Sequence, residues 1–333
     1  MKVAVLGAGA VGSRAVRQLA STAAVEAVAV ADVDPRATER CVAAIDDERV
    51  DAAEAGNGWA AGADVGVLAT PAGQHRSWAE RLLEQGAAVV STSDDPHDVT
   101  ALLDLDAEAR ERGTAVVVGA AFAPGLTDLL AAHAAASFDA VDEVHVAKAG
   151  TGGPACARAH HRALRGREVR DWRDGAWMVR RAGSGRELCW FPDPVGAADC
   201  YRAAVPDALL LVPAFPGVQR VTGRVGANRR DRLTSWLPML RRPHPEGATG
   251  AARVEVRGRR GTGRDTVVLG ALDRPAVAAG AVAALAAVWT VEGRLRRHGA
   301  AGMAELVEPL PFLLELARRG VRAAVFEGAG SAP

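Results

Sequence analysis

The stretch "KVAVLGAGAVGSRAVRQL", Lys2 to Leu19, constrains this chain more than any other. An apolar strand runs into Gly7-x-Gly9-x-x-Gly12 and then into an amphipathic helix. That order suits a dinucleotide. Gly7 makes the tight turn, Gly9 lets the backbone approach a pyrophosphate, and Gly12 lets helix and strand pack closely. The helix start aims free N–H groups and a positive dipole end at the phosphates. A second strand, Ala27 to Ala31, ends in Asp32, twenty residues beyond Gly12, where an acid accepts from a ribose 2′-hydroxyl. Gly7, Gly9, Ala10, Val11 and Gly12 are therefore the candidate cofactor cradle, with Asp32 on the ribose. Asp32 repels a 2′-phosphate and favours NAD; Arg36 in "ADVDPR" could reach such a phosphate, and Asp34 could replace Asp32 if the strand ends later. NAD and NADP both stay open, with NAD ahead.

Further strands are expected at Asp64 to Ala69, Ala87 to Ser91 and Thr114 to Val118, separated by helices around Ser77 to Gln85 and Val99 to Arg112. Such alternation gives a parallel, doubly wound α/β sheet of Rossmann type. Ligands collect at the carboxyl ends of its strands. Those ends are "ATPAGQH", "STSDDP" and "GAAFAPG", which adds Thr70, Pro71, Ser91, Ser93 and Pro124 to the candidate cofactor residues. In "GAAFAPGLTDLL" the strand hands the chain through small residues and Pro124-Gly125 to a helix, Thr127 to Ala136.

Composition narrows the partners. Forty Lys plus Arg balance forty Asp plus Glu, so no basic field selects nucleic acid or an acidic membrane, and a small-molecule substrate is favoured. Cys41, Cys156, Cys189 and Cys200 are scattered with no CxxC pair, which predicts reduced thiols in a cytoplasmic protein and no metal site. The apolar run Ala276 to Val291 is short for a bilayer span and reads as a buried, Ala-rich helix suited to close packing or a subunit contact. A homodimer is the expected assembly.

With 333 residues the chain suits two domains. The expected division is a dinucleotide-binding domain over 1–125, a substrate and oligomerisation domain of α+β type on a mixed or antiparallel sheet over 126–327, and a tail over 328–333, with substrate between the domains. In the second half, Ala140 to Pro154 alternates as a strand and ends in a glycine-rich loop, and "HHRAL" reads as a short helix. Strands are expected around Ala176 to Arg181, Glu187 to Phe191, Leu209 to Val212, Gln219 to Val225, Ala252 to Arg257 and Thr266 to Leu269, the last two joined as a hairpin through "RGRRGTGRD". Asn228 is placed to cap a helix whose Leu233, Trp236, Leu237 and Leu240 form a stripe expected in the core. A helix around Phe312 to Arg319 and a strand Arg322 to Phe326 close the chain.

Four passages, "GAGAVG", "STSDD", "AFAPGLTDLL" and the strand ending in "GTGGP", together resemble the saccharopine dehydrogenase (saccharopine reductase) family. The resemblance covers roughly residues 1 to 155 well and the remainder loosely. It implies a nicotinamide-dependent oxidoreductase acting at a carbon–nitrogen bond, commonly a secondary amine formed from an amino acid and a 2-oxo acid. The glucose-fructose oxidoreductase family, with sugar or cyclitol substrates, shares the two-domain plan and an "ATP…H" stretch. Its members typically carry Glu-Lys-Pro where this chain reads "STSDDP", with no lysine for the acid-base work. A non-catalytic NAD(P)-binding redox sensor is the alternative of another class.

An imine or amine substrate needs an acid or base at nitrogen and cations for its carboxylates. Lys148, at a strand end before a glycine loop, is the first candidate, since a desolvated lysine can lose its proton. His160, of the His160-His161 pair, is the second. Asp128 in the helix after Pro124-Gly125 is placed to hold a substrate amine, and Arg186 and Arg229 are the candidate carboxylate forks.

Overall fold

The computed structural model describes residues 1–56, 58–166, 168–239, 242–321 and 323–325. In chain order it builds β1 (Lys2–Leu6), α1 (Ala10–Ala20), β2 (Ala27–Asp32), α2 (Pro35–Ile45), β3 (Val50–Glu54), β4 (Val65–Leu68), α3 (His75–Glu84), β5 (Ala88–Ser91), α4 (Pro96–Leu103), α5 (Asp106–Glu111) and β6 (Ala115–Val118). There follow α6 (Leu126–Ala135), β7 (Ala140–Ala149), α7 (Pro154–Ala163), β8 (Val169–Arg173), β9 (Ala176–Arg180), β10 (Glu187–Trp190), β11 (Ala197–Arg202), α8 (Asp207–Ala214), β12 (Arg220–Gly226), α9 (Arg229–Thr234), β13 (Gly250–Arg260) and β14 (Gly263–Asp273). The chain ends with α10 (Pro275–Val291), β15 (Gly299–Gly302), α11 (Met303–Leu306), α12 (Pro309–Arg318) and β16 (Ala323–Val325). Arg322, Phe326 and the 328–333 tail lie outside the described residues.

Two compact units result. The first comprises Met1–Leu126 and Ala276–Glu308. Its seven strands run in the order β15-β6-β5-β4-β1-β2-β3, every pair parallel. The order reverses between β1 and β4, the switch point at which crevices open in doubly wound sheets. β1, β4, β5 and β6 are buried almost throughout, as the Val-rich runs of a sheet covered on both faces require.

β15 was not expected from its sequence. Gly-Ala-Ala-Gly has no β-branched residue, yet it extends the sheet beside β6, and the Ala300 N–H donates to Asp106 Oδ1 at 2.9 Å. The helix expected over Val99 to Arg112 is two helices, α4 and α5, broken at Asp104-Leu105 without a Gly or Pro.

α10 is apolar on all sides and buried along its length, so its small residues serve the interior of the chain rather than a subunit contact. Gly280 is where it meets α1. A Cβ there would stand 2.6 Å from Arg14 Cβ and 2.7 Å from Ala15 N. Gly→Ala in a helix interior normally gains about 1 kcal/mol. Here overlap with backbone outweighs that gain, and Gly280→Ala is expected to destabilise by about 1–3 kcal/mol in urea unfolding.

The second unit holds Thr127–Pro275 and the chain from Pro309 on. Its nine-stranded sheet has the order β10-β11-β12-β7-β13-β14-β16, with β8 paired to β12 and β9 to β8. β12 and β7 are parallel and the other pairs antiparallel, so the sheet is mixed. The β13–β14 hairpin turns through Gly261-Thr262 inside "RGRRGTGRD". Leu209 to Val212, expected as a strand, lies in helix α8, because a short run that is apolar on every side has no periodicity to separate strand from buried helix. "HHRAL" falls at the end of the longer α7. Asn228 caps α9 by accepting from the Asp231 N–H at 2.8 Å, but Leu233, Trp236 and Leu237 are exposed rather than core, and Leu240 lies outside the described residues.

Candidate functional site

The glycine turn is tight where packing demands it and open where a ligand would enter. Gly7 has φ +105°, and a Cβ on it would stand 2.5 Å from the Ala69 carbonyl oxygen, where the end of β4 crosses the turn. A Cβ on Gly12 would stand 1.7 Å from the Gly7 carbonyl oxygen. A Cβ on Gly9 would meet nothing within 4 Å. Gly9 is the exposed N-cap of α1, no side chain caps that end, and the first turn holds no acid. The N–H groups and dipole of α1 therefore face open space at the switch point. Ala10 and Val11, half-buried, form that first turn. The Ser13 hydroxyl braces it, 2.8 Å from the Gly9 carbonyl and 3.0 Å from that of Ala8.

Asp32 is the last residue of β2, half-buried beside this turn. Its Oδ2 accepts from the Ala8 N–H at 2.7 Å and its Oδ1 from the Asp34 N–H at 2.9 Å. It pins the glycine turn while each oxygen keeps a lone pair for a ligand hydroxyl. Asp34 does not substitute for it. Asp34 is the N-cap of α2, accepting from the Arg36 N–H at 3.1 Å, and it pairs with Arg40. Arg36 is exposed in the first turn of α2.

The loops after β4 and β5 are laced together by His75, a residue that the sequence reading left out of the site. His75 is fully buried. Its Nδ1 is 2.9 Å from Ser91 Oγ, and its Nε2 is 3.0 Å from the Thr70 carbonyl and 3.2 Å from Thr70 Oγ1. Ser91 Oγ accepts from the Ser93 N–H, so its own proton points to Nδ1, and the neutral ring with Nε2–H satisfies every partner. Ser93 Oγ donates to Asp98 Oδ2, which also accepts from the Gly73 N–H, each at 3.0 Å. The Ser91 and Ser93 hydroxyls are thus held inside the loops, while Pro71 and Gly73 form the exposed crest. "ATP…H" held the only signal for His75.

Burial pushes the His75 pKa below its ordinary 6.5, partly opposed by the Asp98 charge. The unfolded chain therefore binds the proton first as pH falls. Stability from this group is complete above about pH 6.5 and declines by ~1.4 kcal/mol per unit from there down to the folded value. Urea midpoints at pH 7.5 and 5.5 should show this fall, and His75→Gln should flatten it. His145, half-buried and also shifted down by desolvation, acts with the same sign and leaves the remainder.

The "GAAFAPG" loop closes on itself. The Leu126 N–H donates to the Ala121 carbonyl at 2.9 Å, and Gly125 has φ +114° with a Cβ position 2.4 Å from Ala121 N. Only glycine fits after Pro124, which is buried.

In the second unit Lys148 sits on β7, paired in register with Val225 and Ala252, and is 4% exposed. Asp128, in the first turn of α6, and His160, on α7, are also buried. One turn before His160, Cys156 brings its thiol within 4.8 Å of a ring nitrogen of that histidine; a closed zinc site takes four donors. Arg186 is exposed and paired with Asp199 at 2.9 Å, and Arg229 is exposed at the start of α9. Arg224 is buried and bound to Glu187 at 2.8 Å.

Residues 2–110 match the family model for the semialdehyde dehydrogenase NAD-binding domain. Among solved structures, saccharopine dehydrogenase (L-Glu forming) from Saccharomyces cerevisiae superposes with a TM-score of 0.72 at 14% identity, covering 98% of this chain and 99% of that one. Amine dehydrogenase from Mycobacterium smegmatis gives 0.55 at 11% identity, covering 92% and 96%. GenD2 from gentamicin A biosynthesis, solved with NAD, gives 0.50 at 18% identity, covering 98% and 97%. The chain has the fold of saccharopine dehydrogenase, with a first unit of Rossmann type that matches an NAD-binding domain model.

Proposed function

We propose that the protein is an NAD(P)-dependent oxidoreductase acting at a carbon–nitrogen bond of an imine, secondary amine or amino-acid substrate. The observation that carries the cofactor is the open Gly9 at the switch point, above an uncapped α1 and beside Asp32. Gly7 and Gly12 shape that cradle, Ala10 and Val11 supply its N–H groups, and Thr70, Ser91, Ser93 and Pro124 hold the neighbouring loops in place. Asp32 directs the preference to NAD, with Arg36 the group that would admit NADP. When bound, the nicotinamide donates or accepts the hydride.

Fold likeness to saccharopine dehydrogenase supports the carbon–nitrogen substrate class. The chain's own chemistry agrees with it. Lys148, buried on β7, serves as the acid-base group at the substrate nitrogen. Asp128 holds the substrate amine, and His160 is the alternative proton carrier. For a carboxylate, Arg229 is better placed than Arg186, whose guanidinium is already engaged by Asp199. Four free thiols fit a reducing, cytoplasmic setting. Among the described residues no helix is long and apolar enough to cross a membrane.

The test is a pooled screen of 2-oxo acids with amines and amino acids, read as NADH or NADPH oxidation, run beside a panel of polyols. Oxidation of the cofactor by amine mixtures supports the reading. Turnover of polyols alone moves the protein to sugar or cyclitol chemistry, and tight NADH binding without any turnover moves it to a redox sensor.

A further inference from the structure

Lys148 shares one face of the second unit's sheet with Gly223. β7 and β12 run parallel, with Val146 beside Gly223 and Lys148 beside Val225, and successive residues of a strand alternate between faces, so these four point the same way. On that face the neighbours of Lys148 are apolar and buried: Val225 and Ala252 in its own row, Val146 and Val254 in the next. An ammonium stays charged in such surroundings only beside a counter-charge.

Gly223 shows what stands over this face. A Cβ on it would meet Val205 Cγ2 at 2.7 Å, Asp207 Oδ2 at 3.0 Å and Asp207 Cβ at 3.3 Å, so the space left by the missing side chain is taken by the start of α8. The Asp207 carboxylate therefore lies over the face that Lys148 occupies, and Asp207 is as buried as Lys148 is. One strand over and two residues along, Gly223 is roughly 8 Å from Lys148 between Cα atoms, a diagonal that the four-carbon stem of a lysine spans to reach a carboxylate above the glycine. Neither Lys148 nor Asp207 is without a partner.

The other charged and titratable groups over this part of the face do not take that place. Arg232 on α9 stands over the ring of Tyr201, which pairs with Val225. His160 on α7 lies one turn before Leu164, which packs with Tyr201 and Val225, and it carries no negative charge. Asp199, two residues before Tyr201 on β11, is held by Arg186 at 2.9 Å. We propose that Asp207 is the positioning residue of Lys148, its carboxylate the counter-ion that keeps the ammonium over Gly223 and charged for delivery of a proton to the substrate nitrogen. This rests on Lys148 being the acid-base group. In the reductive direction the substrate nitrogen takes one proton as its carbon takes one hydride; Lys148 gives that proton from its ammonium, and water returns it.

The test reads the lysine itself as well as turnover. The chain has two lysines, Lys2 and Lys148, so lysine labelled with carbon-13 at Cε gives two signals in the intact protein, and Lys2→Arg assigns them. In Asp207→Asn, which keeps size and shape, the Lys148 signal should titrate about one pH unit or more below the parent, because a carboxylate favours the charged form of an ammonium beside it. Gly223→Ala keeps both charged groups but drives Asp207 aside, and it should move the midpoint in the same direction. In each variant the alkaline limb of the pH–rate profile for reduction should move down by the same interval, which loss of packing alone does not cause. A Lys148 midpoint that neither variant moves would overturn the proposal while leaving the acid-base reading of Lys148 intact. Retained turnover in Lys148→Met, or a limb that stays in place while the midpoint moves, would overturn that reading instead and leave Asp207 a counter-ion with no part in the chemistry.

Discussion

Gly12→Ala is expected to collapse the β1–α1 turn and abolish NADH binding, whereas Gly9→Ser is expected to keep the fold and still lose affinity. The contrast comes from the two Cβ positions. At Gly12 the new atom would stand 1.7 Å from the Gly7 carbonyl oxygen, which is backbone and cannot rotate away. Helix and turn must separate by more than 1 Å, roughly, and overpacking of that size costs ~3 kcal/mol or more. Urea unfolding should show it directly. At Gly9 a side chain meets nothing within 4 Å, and serine is a good N-cap, so stability should move by less than ~0.5 kcal/mol. The same hydroxyl occupies the α1 N–H groups that the phosphates need, and NADH affinity should fall about tenfold or more, equivalent to ~1.4 kcal/mol. If Gly9→Ser binds NADH as tightly as the parent, the open space above α1 is not the phosphate site.

Lys148→Met is expected to lower turnover by roughly 10²–10⁴-fold, the usual yield of a positioned acid or base. Lys148 is buried on β7 in the second unit and is no part of the glycine turn, so NADH affinity should stay within about twofold. One limb of the pH–rate profile should disappear with it, an effect that a mere packing role would not produce. Steady-state kinetics on the best substrate of the imine screen provide the check. Retained turnover would remove Lys148 from the chemistry and leave His160 as the proton carrier.

The first unit was legible in the sequence because its signals are local. Gly7, Gly9, Gly12 and Asp32 follow from a strand, a turn and a helix within one βαβ unit, and the Val-rich strands announce a sheet buried on both faces. β15 was not, because its place beside β6 depends on contacts with Asp106 far earlier in the chain and not on its own Gly-Ala-Ala-Gly. His75 was missed for a similar reason. A lone histidine gives no hint that burial and three partners will make it the link between two loops. In the second unit the Leu209 to Val212 run and the Leu233, Trp236, Leu237 stripe went the wrong way, because apolar periodicity reports which residues align and not whether anything covers them. The arginines were least legible of all. Arg186 and Arg224 prove to be engaged by Asp199 and Glu187, pairings that only the β10–β11–β12 register creates.

The central claim is that the first unit binds a nicotinamide dinucleotide in the Gly7–Gly12 cradle with Asp32 on its ribose. Fluorescence titration of the parent and of Asp32→Ala with NADH and NADPH tests it most directly. The account predicts that the parent prefers NADH and that Asp32→Ala weakens NADH by about tenfold while narrowing or reversing the preference. A parent that binds neither nucleotide, or a preference for NADPH that Asp32→Ala leaves unchanged, would contradict it.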